Sequence, residues 1–189
     1  MFNIVSITGP SGSGKTTVQK YLGIKSIITY TSREPRNGEI DGVHYHFTTR
    51  EKILAMKDNG YLLEYTEYNG NLYSSDLKSM KEVIDFKNIG SIVVDVNGAR
   101  ALKRNFDEHV LLIGILASKD ECIQRISHRS DSNTEKRLAS YEQEVQGMLE
   151  ICDIVIINSE ENWSKNKKIL NWVRKGLIKS VNIEKYKMV

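Results

Sequence analysis

The 189-residue chain has only two prolines and two cysteines, and no apolar run approaches the ~20 residues that a membrane-spanning helix needs. The cysteines, Cys122 and Cys152, stand far apart and form no metal or redox spacing. We therefore expect two buried free thiols in a reducing compartment. The amino terminus, MFNIVSITG, lacks the basic and apolar regions of a signal peptide. These absences predict a cytoplasmic protein with no membrane partner.

A large excess of one charge is also missing. The net charge is +3, with 27% charged and 40% hydrophobic residues, as in a soluble globular protein. So small an excess fits a phosphate-binding cleft as well as a nucleic-acid surface. A nucleic-acid-stimulated ATPase would need a larger basic surface or a second domain, and neither is visible. We expect a single domain, monomeric or homodimeric, with no nucleic-acid partner.

Short runs rich in isoleucine and valine alternate with helix-like segments. The predicted strands are Phe2–Thr8, Ser26–Tyr30, Ser91–Val96, Val110–Leu116 and Ile154–Asn158. The predicted helices are Lys15–Leu22, Ala99–Asn105, Lys119–Arg129 and Thr134–Cys152. The apolar face of the last helix is predicted to contain Leu138, Tyr141, Val145, Leu149 and Cys152. This alternation predicts an α/β fold with a parallel sheet covered on both faces.

The segment between about residues 31 and 78 has a different residue pattern from the rest of the chain. Its tyrosine-rich alternations, YHF and YLLEYTEY, surround an Asn69-Gly70 turn signal, which predicts a small, partly antiparallel insert. A helix over Glu51–Asn59 is expected to begin at a capping box formed by Thr48 and Glu51. Ser118-x-x-Glu121 predicts the same kind of start for a later helix.

The segment GPSGSGKT, residues 9–16, fits the phosphate-loop pattern G-x-x-x-x-G-K-[ST] between a predicted strand and a predicted helix. Its glycines allow successive backbone N–H groups to turn toward a phosphate, and the helix start adds partial positive charge. Lys15 can reach the β and γ phosphates, and the Thr16 hydroxyl can join a magnesium shell. The predicted ATP-binding residues here are Gly9, Pro10, Ser11, Gly12, Ser13, Gly14, Lys15, Thr16 and Thr17. The motif alone does not separate a kinase from a GTPase, an ATPase motor or a helicase.

A second candidate anion site lies in TSREPRNGE, residues 31–39. Pro35 restricts the residue before it to extended geometry, so the backbone that presents Arg33 and Arg36 is stiffened. Two guanidinium groups held close together suit one phosphate dianion. The alternative is a solvated loop with ion pairs to Glu34 and Glu39.

Four blocks, in order, resemble the guanylate kinase family. TSREPRNGEIDGVHYHF is similar to T-T-R-x-P-R-x-G-E-x-x-G-x-x-Y-x-F, and Glu64 with NGNLYSSD is similar to the glutamate and G-N-x-Y-G-[ST] segment. VVDVNGAR resembles the acidic strand end, and IQRISHRS with TEKRL resembles the arginine-bearing lid. The resemblance implies a P-loop three-layer α/β fold with a parallel core sheet (1–30 and 90–189), a mixed acceptor insert (31–89) and a helical lid (about 125–137).

The resemblance also implies roles for individual residues. The GMP-binding residues would be Thr29, Arg33, Arg36, Tyr45, Glu64, Tyr73, Ser75 and Asp95. The catalytic residues would be Lys15, Arg33, Arg125 and Arg137, with Arg129 and Asn158 binding ATP. A carboxylate such as Glu64 can accept both adjacent N–H donors of guanine, and the Ser75 hydroxyl can donate to its O6. The implied reaction is magnesium-dependent transfer of the ATP γ-phosphate to GMP, and also to dGMP.

Other interpretations of these residues stay open. The tyrosines can pack the insert, and Ser75 can be the N-cap of a helix over Asp76–Asp85. Val93 and Asn97 depart from the family pattern, as does HRSDS in the lid. A kinase for another phosphorylated acceptor and a guanylate-kinase-like binding module are the rival functions. The intact phosphate loop argues against the second.

Overall fold

The computed structural model describes residues 1–68, 70–127 and 139–186. The strands are β1 (Ile4–Thr8), β2 (Tyr30–Thr31), β3 (His46–Phe47), β4 (Leu62–Tyr68), β5 (Asn71–Asp76), β6 (Gly90–Val93), β7 (Val110–Leu116) and β8 (Ile154–Ile157). The helices are α1 (Lys15–Leu22), α2 (Arg50–Asp58), α3 (Leu77–Asp85), α4 (Val96–Phe106), α5 (Lys119–Ser127), α6 (Tyr141–Ile151) and α7 (Trp163–Tyr186).

The core sheet has the order β6-β1-β7-β8 with all pairs parallel, which confirms the predicted fold class. Val5 and Ile7 of β1 pack with residues of α1 and α7, including Leu22 and Leu170. On the other face, Ile4 packs with residues of α3 and α4. Parallel strands buried on both faces explain the nearly continuous apolar runs of the sequence.

The second sheet has the order β3-β2-β5-β4 and is mixed. β2 pairs parallel with β3 and antiparallel with β5, and β4 and β5 form a hairpin. The hairpin turns through Gly70, whose φ is 74°. Because Glu64 pairs with Ser75 and Thr66 pairs with Tyr73, these side chains share one face of the sheet.

The predicted core strand over Ser26–Tyr30 is wrong. Ser26 forms only an isolated parallel bridge to Ser91, and the strand that follows is the two-residue β2 of the second sheet. The chain leaves the core after Ile27, and Tyr30 then pairs with Ser74 and His46. An apolar run bridging two sheets looks the same in sequence as one buried strand.

The predicted cap of α2 is also wrong, as is the alternative interpretation of Ser75 as the cap of α3. The N-cap of α2 is Thr49, not Thr48, and its side chain accepts a hydrogen bond from the Lys52 N–H. The N-cap of α3 is Asp76, not Ser75, and it accepts from the Ser79 N–H at 2.8 Å.

The Ser118 box at α5 is confirmed. The Glu121 side chain accepts from the Ser118 N–H at 3.0 Å, and the Glu121 N–H donates to the Ser118 hydroxyl at 3.3 Å. Beyond α5, residues 128–138 lie outside the described part of the chain, so Leu138 and the Thr134 helix start do too.

The buried face of α6 differs from the predicted one. Gly147 and Met148 are buried, whereas Leu149 is 55% exposed. A glycine carries no apolar signal, so the pattern could not show that α6 packs through Gly147. Both cysteines are free thiols as predicted, although only Cys122 is fully buried. None of the helices in the described ranges is long and apolar enough to cross a membrane.

Candidate active site

A cavity of about 350 Å³ opens between the two sheets. Its walls come from the phosphate loop after β1, the end of β6, the insert strands β4 and β5, and α6. The lining residues are Gly9, Ser11, Lys15, Thr29, Tyr45, Glu64, Thr66, Tyr73, Ser74, Ser75, Val93, Val94, Asp95 and Glu144. The carboxyl ends of parallel strands are where ligands bind in open α/β sheets.

The phosphate loop needs its glycines for two different reasons. Gly9 has a φ of 141°, and a Cβ there would lie 2.2 Å from the Ile115 carbonyl oxygen. Gly14 has a φ of 96°, and its Cβ would lie 2.2 Å from Nδ2 of Asn158. Asn158 uses that nitrogen to donate to the Ser13 carbonyl at 2.7 Å, which ties β8 to the loop. Close packing and left-handed backbone therefore both fix the loop.

Lys15 opens helix α1 and bends back over the loop. Its Nζ donates to the carbonyl oxygens of Gly9 at 2.6 Å and Pro10 at 3.0 Å. Thr16 and Thr17 are exposed in the same first turn. A cationic amine and a helix N-terminus at one loop form a binding site for an anionic phosphate.

Four polar side chains line the far side of the cavity. The Ser75 hydroxyl donates to Glu64 Oε1 at 2.9 Å, and the Thr66 hydroxyl donates to Asp95 Oδ2 at 2.7 Å. Asp95 is also the N-cap of α4, because its Oδ1 accepts from the Gly98 N–H at 2.8 Å. Two carboxylates and two hydroxyls thus face the same space.

The pKa of Glu64 is raised to about 7. Burial is the largest cause, because it disfavours the charged carboxylate. The nearby charge of Asp95 raises the pKa further, while the hydroxyls of Ser75 and Thr66 lower it. A buried carboxylate is costly to keep charged without hydrogen-bond partners. A ligand that offers N–H donors would therefore stabilise the charged form of Glu64.

Arg33 lies immediately behind this cavity wall. Its guanidinium donates to both carboxylate oxygens of Glu39, at 2.9 and 3.0 Å, and its Cζ lies 5.6 Å from the Tyr45 ring centre and 5.7 Å from that of Phe47. The buried Nε of Arg33 has no hydrogen-bond partner among the described residues. Tyr45 stands 6.1 Å from Tyr73, ring centre to ring centre, and both rings line the cavity.

Arg36 is placed differently from Arg33. Its side chain is exposed and does not line the cavity, while its backbone N–H donates to Glu39 at 2.7 Å. Glu39 therefore holds both ends of the arginine loop. The predicted alternative, an ion pair to Glu39, is present for Arg33.

A second cavity of about 550 Å³ lies on the other side of the phosphate loop. Its lining residues are Gly12, Gly14, Thr17, Arg125, Asn158, Ser159, Glu160 and Trp163. Arg125 of α5 donates to the Asn158 carbonyl at 3.0 Å and to the Glu121 carboxylate at 3.1 Å. Arg125 and Asn158 are thus brought to the loop, whereas Arg129 and Arg137 lie outside the described residues.

The lining residues that the sequence analysis missed include Thr66, Glu144 and Trp163. Thr66 stands two positions from Glu64 on one strand, so the period of two could have indicated it. No local signal indicates the other two. Two of the residues that depart from the family pattern are placed by the structure: Val93 lines the first cavity, between the two sheets, and Asn97 is exposed.

Comparisons with known proteins agree with this geometry. A family model for guanylate kinases matches residues 1–171. The guanylate kinase of Desulfitobacterium hafniense (strain Y51) is 33% identical over 165 residues, which cover 83% of this chain and 82% of that protein. The crystal structure of guanylate kinase from Anaplasma phagocytophilum matches with a TM-score of 0.72 and 27% identity, over 95% of this chain and 86% of that one. The chain belongs to the guanylate kinase family of nucleoside monophosphate kinases.

Proposed function

We propose that the protein transfers the γ-phosphate of ATP to GMP, and also to dGMP, in a magnesium-dependent reaction. One observation carries the proposal: the phosphate loop and the Glu64–Ser75 pair line a single cavity. Phosphoryl transfer requires two bound nucleotides that face each other in line. A cavity with a phosphate-binding wall and a base-binding wall meets that requirement.

The donor nucleotide would occupy the phosphate loop. Its phosphates would replace the loop carbonyls as partners of the Lys15 ammonium group. Magnesium would be held by the exposed Thr16 hydroxyl together with phosphate oxygens and water, and Thr16 fits because hydroxyl oxygen is a ligand that this ion prefers. When bound, the ion neutralises charge on the phosphates. Asn158 and Arg125, with Arg129, would contact the rest of ATP beyond the loop.

The acceptor base would bind between Glu64, Ser75 and Asp95. The Glu64 carboxylate can accept from N1–H and the 2-amino group of guanine, whereas adenine offers no such pair of donors. Ser75 now donates to Glu64, so it would turn its hydroxyl to O6 when the base arrives. Another base would leave these buried polar groups without hydrogen-bond partners, which would lower kcat/KM for that acceptor by roughly 10⁴-fold.

The acceptor phosphate would lie against Arg33, Tyr45 and Tyr73. The unpartnered Nε–H of Arg33 supports this placement, because a buried donor without a partner is costly until a ligand satisfies it. Arg36, exposed in the same loop, would turn toward the phosphate, and Thr29 would complete the wall. Arg125 and Arg137 would stabilise the transferring phosphoryl group. No protein nucleophile is needed.

The first test is ADP release measured with GMP, dGMP, AMP, CMP, UMP and dTMP as parallel acceptors. We expect turnover with GMP and dGMP to exceed every other acceptor by at least about a hundredfold. Lys15→Ala should remove nearly all turnover without changing the folded state. Equal rates with all acceptors would contradict the base assignment, and full activity of Lys15→Ala would contradict the loop assignment.

A further inference from the structure

Thr66 joins the two sheets at the floor of the cavity. It lies on β4 of the insert, and its hydroxyl donates to Asp95, which follows β6 of the core, at 2.7 Å. The other oxygen of Asp95 accepts from the first turn of α4. Both carboxylate oxygens therefore have a fixed partner, one from β4 of the insert and one from helix α4.

The orientation of Asp95 depends on this second partner. An N-cap bond through Oδ1 alone leaves the carboxylate plane free to turn about that contact. The hydrogen bond from Thr66 to Oδ2 fixes the plane, and the remaining lone pairs can then accept from a ligand. In the structure the Thr66 hydroxyl donates to Asp95 Oδ2, and its oxygen can accept a hydrogen bond from a base.

Glu64 lies close to this unit. A Cβ on Gly98 would lie 3.4 Å from Glu64 Cδ, so the Glu64 carboxyl packs against the first turn of the helix that Asp95 caps. The Thr66 hydroxyl also lowers the pKa of Glu64. The result is a cavity floor that offers several acceptors and few donors.

We propose that Thr66 is a positioning residue that fixes Asp95 as an acceptor for the exocyclic 2-amino group of the acceptor base. Thr66 thereby sets the preference for guanine over hypoxanthine, which has the same N1–H and O6 groups but no 2-amino group. The inference rests on the proposed function, since it concerns the same acceptor site.

The test compares GMP with IMP, by calorimetric binding and by turnover, for the wild type and for Thr66→Val and Thr66→Ser. In Thr66→Val we expect GMP affinity to fall roughly tenfold or more, the size of one hydrogen bond to a charged group, and IMP affinity to change less than about twofold. The KM for ATP and kcat at saturating GMP should stay within about threefold. Thr66→Ser keeps the donor and should restore wild-type selectivity.

A purely structural role would give a different pattern. If Thr66 only tethers the insert to the core, Thr66→Val lowers the affinities for GMP and for IMP by the same factor, and the inference is overturned. Unchanged affinity for both would overturn it as well. Should Thr66→Val fail to fold, as measured by thermal unfolding, Thr66→Ala removes the hydroxyl without placing a methyl group against Asp95, and it is judged by the same ratio of GMP to IMP affinity. A wild type that neither binds nor phosphorylates GMP would instead overturn the proposed function.

Discussion

Glu64 lines the cavity, and its burial raises the pKa of its carboxyl group. With a pKa of about 7, its carboxyl group changes from neutral to charged in the range where the reaction would run. Only the charged form can accept both guanine donors. We expect kcat/KM for GMP to fall with acidification below about pH 7, approaching tenfold per pH unit, and to be flat above it.

The control for this profile is Glu64→Gln. The GMP phosphate itself titrates near pH ~6, and the variant keeps that dependence but loses the Glu64 step. Glu64→Gln should also lower kcat/KM for GMP severely, because its amide offers one acceptor and places a donor against the base. An identical pH profile in both proteins would show that Glu64 does not titrate in this range.

The same carboxyl group makes a prediction about stability. Its folded pKa is raised from 4.5 to about 7, so the folded protein keeps a proton that the unfolded chain has lost. The free energy of unfolding therefore falls as pH rises from about 4.5 to about 7, by up to about 3 kcal/mol, and is constant above. In Glu64→Gln this fall should be absent, as measured by denaturant unfolding at several pH values. A variant that keeps the whole pH dependence would contradict the burial argument.

Sequence reasoning indicated most of the residues that line the first cavity, but not the hydrogen bonds between them. The family pattern indicated Glu64 and Ser75, which do line one cavity, while the alternative interpretation of Ser75 as a helix cap is wrong because Asp76 is the cap. A choice between adjacent cap residues depends on where β5 ends, which its register with β4 decides. Thr66 lies outside the recognisable blocks, and its role needs two distant strands to be brought together.

At the scale of elements, the phosphate loop depends on its contact with β8. Gly14→Ala would force a Cβ into Nδ2 of Asn158 at a left-handed φ of 96°. We expect ATP affinity to fall at least about tenfold and the free energy of unfolding to fall by about 1–3 kcal/mol. Nucleotide titration and denaturant unfolding measure the two effects.

Gly176→Ala is the matched control. Gly176 lies in α7, where the described residues place no atom within 4 Å of its Cβ position, and its φ is not positive. Alanine there should raise the free energy of unfolding by about 0.5–1 kcal/mol and leave ATP affinity unchanged. Equal effects of the two substitutions would mean that the loop contact with Asn158 has no special part in nucleotide binding.

The elements differ in how far the sequence predicts them. Strands β1, β7 and β8 are largely apolar runs bounded by clear turns or caps, so their positions followed from the pattern. β2 and β3 are two residues each, too short for any period to appear. The wrong prediction of a core strand over Ser26–Tyr30 concerns the segment just before β2, where the chain passes from the core sheet to the insert sheet.

On the scale of the whole molecule, each of the two sheets supplies a different part of the cavity wall. The parallel core carries the phosphate loop, the mixed insert carries Glu64 and Ser75, which we propose as the base-binding side chains, and the cavity lies where the two sheets meet. Asp95 and Thr66 join the two sheets across that cavity. The order of the four family-like blocks predicts this arrangement, but the approach of the sheets follows only from the fold.

We propose above that the two nucleotides meet in this cavity, with the donor phosphates at Lys15 and the acceptor base at Glu64. A compound that joins adenosine to guanosine through five phosphates tests it most directly, as an inhibitor in steady-state assays. We expect inhibition competitive with both ATP and GMP, and we expect either Lys15→Ala or Glu64→Gln to weaken binding of the compound at least about tenfold in direct binding measurements. Competition with ATP alone, with binding unaffected by Glu64→Gln, would contradict it.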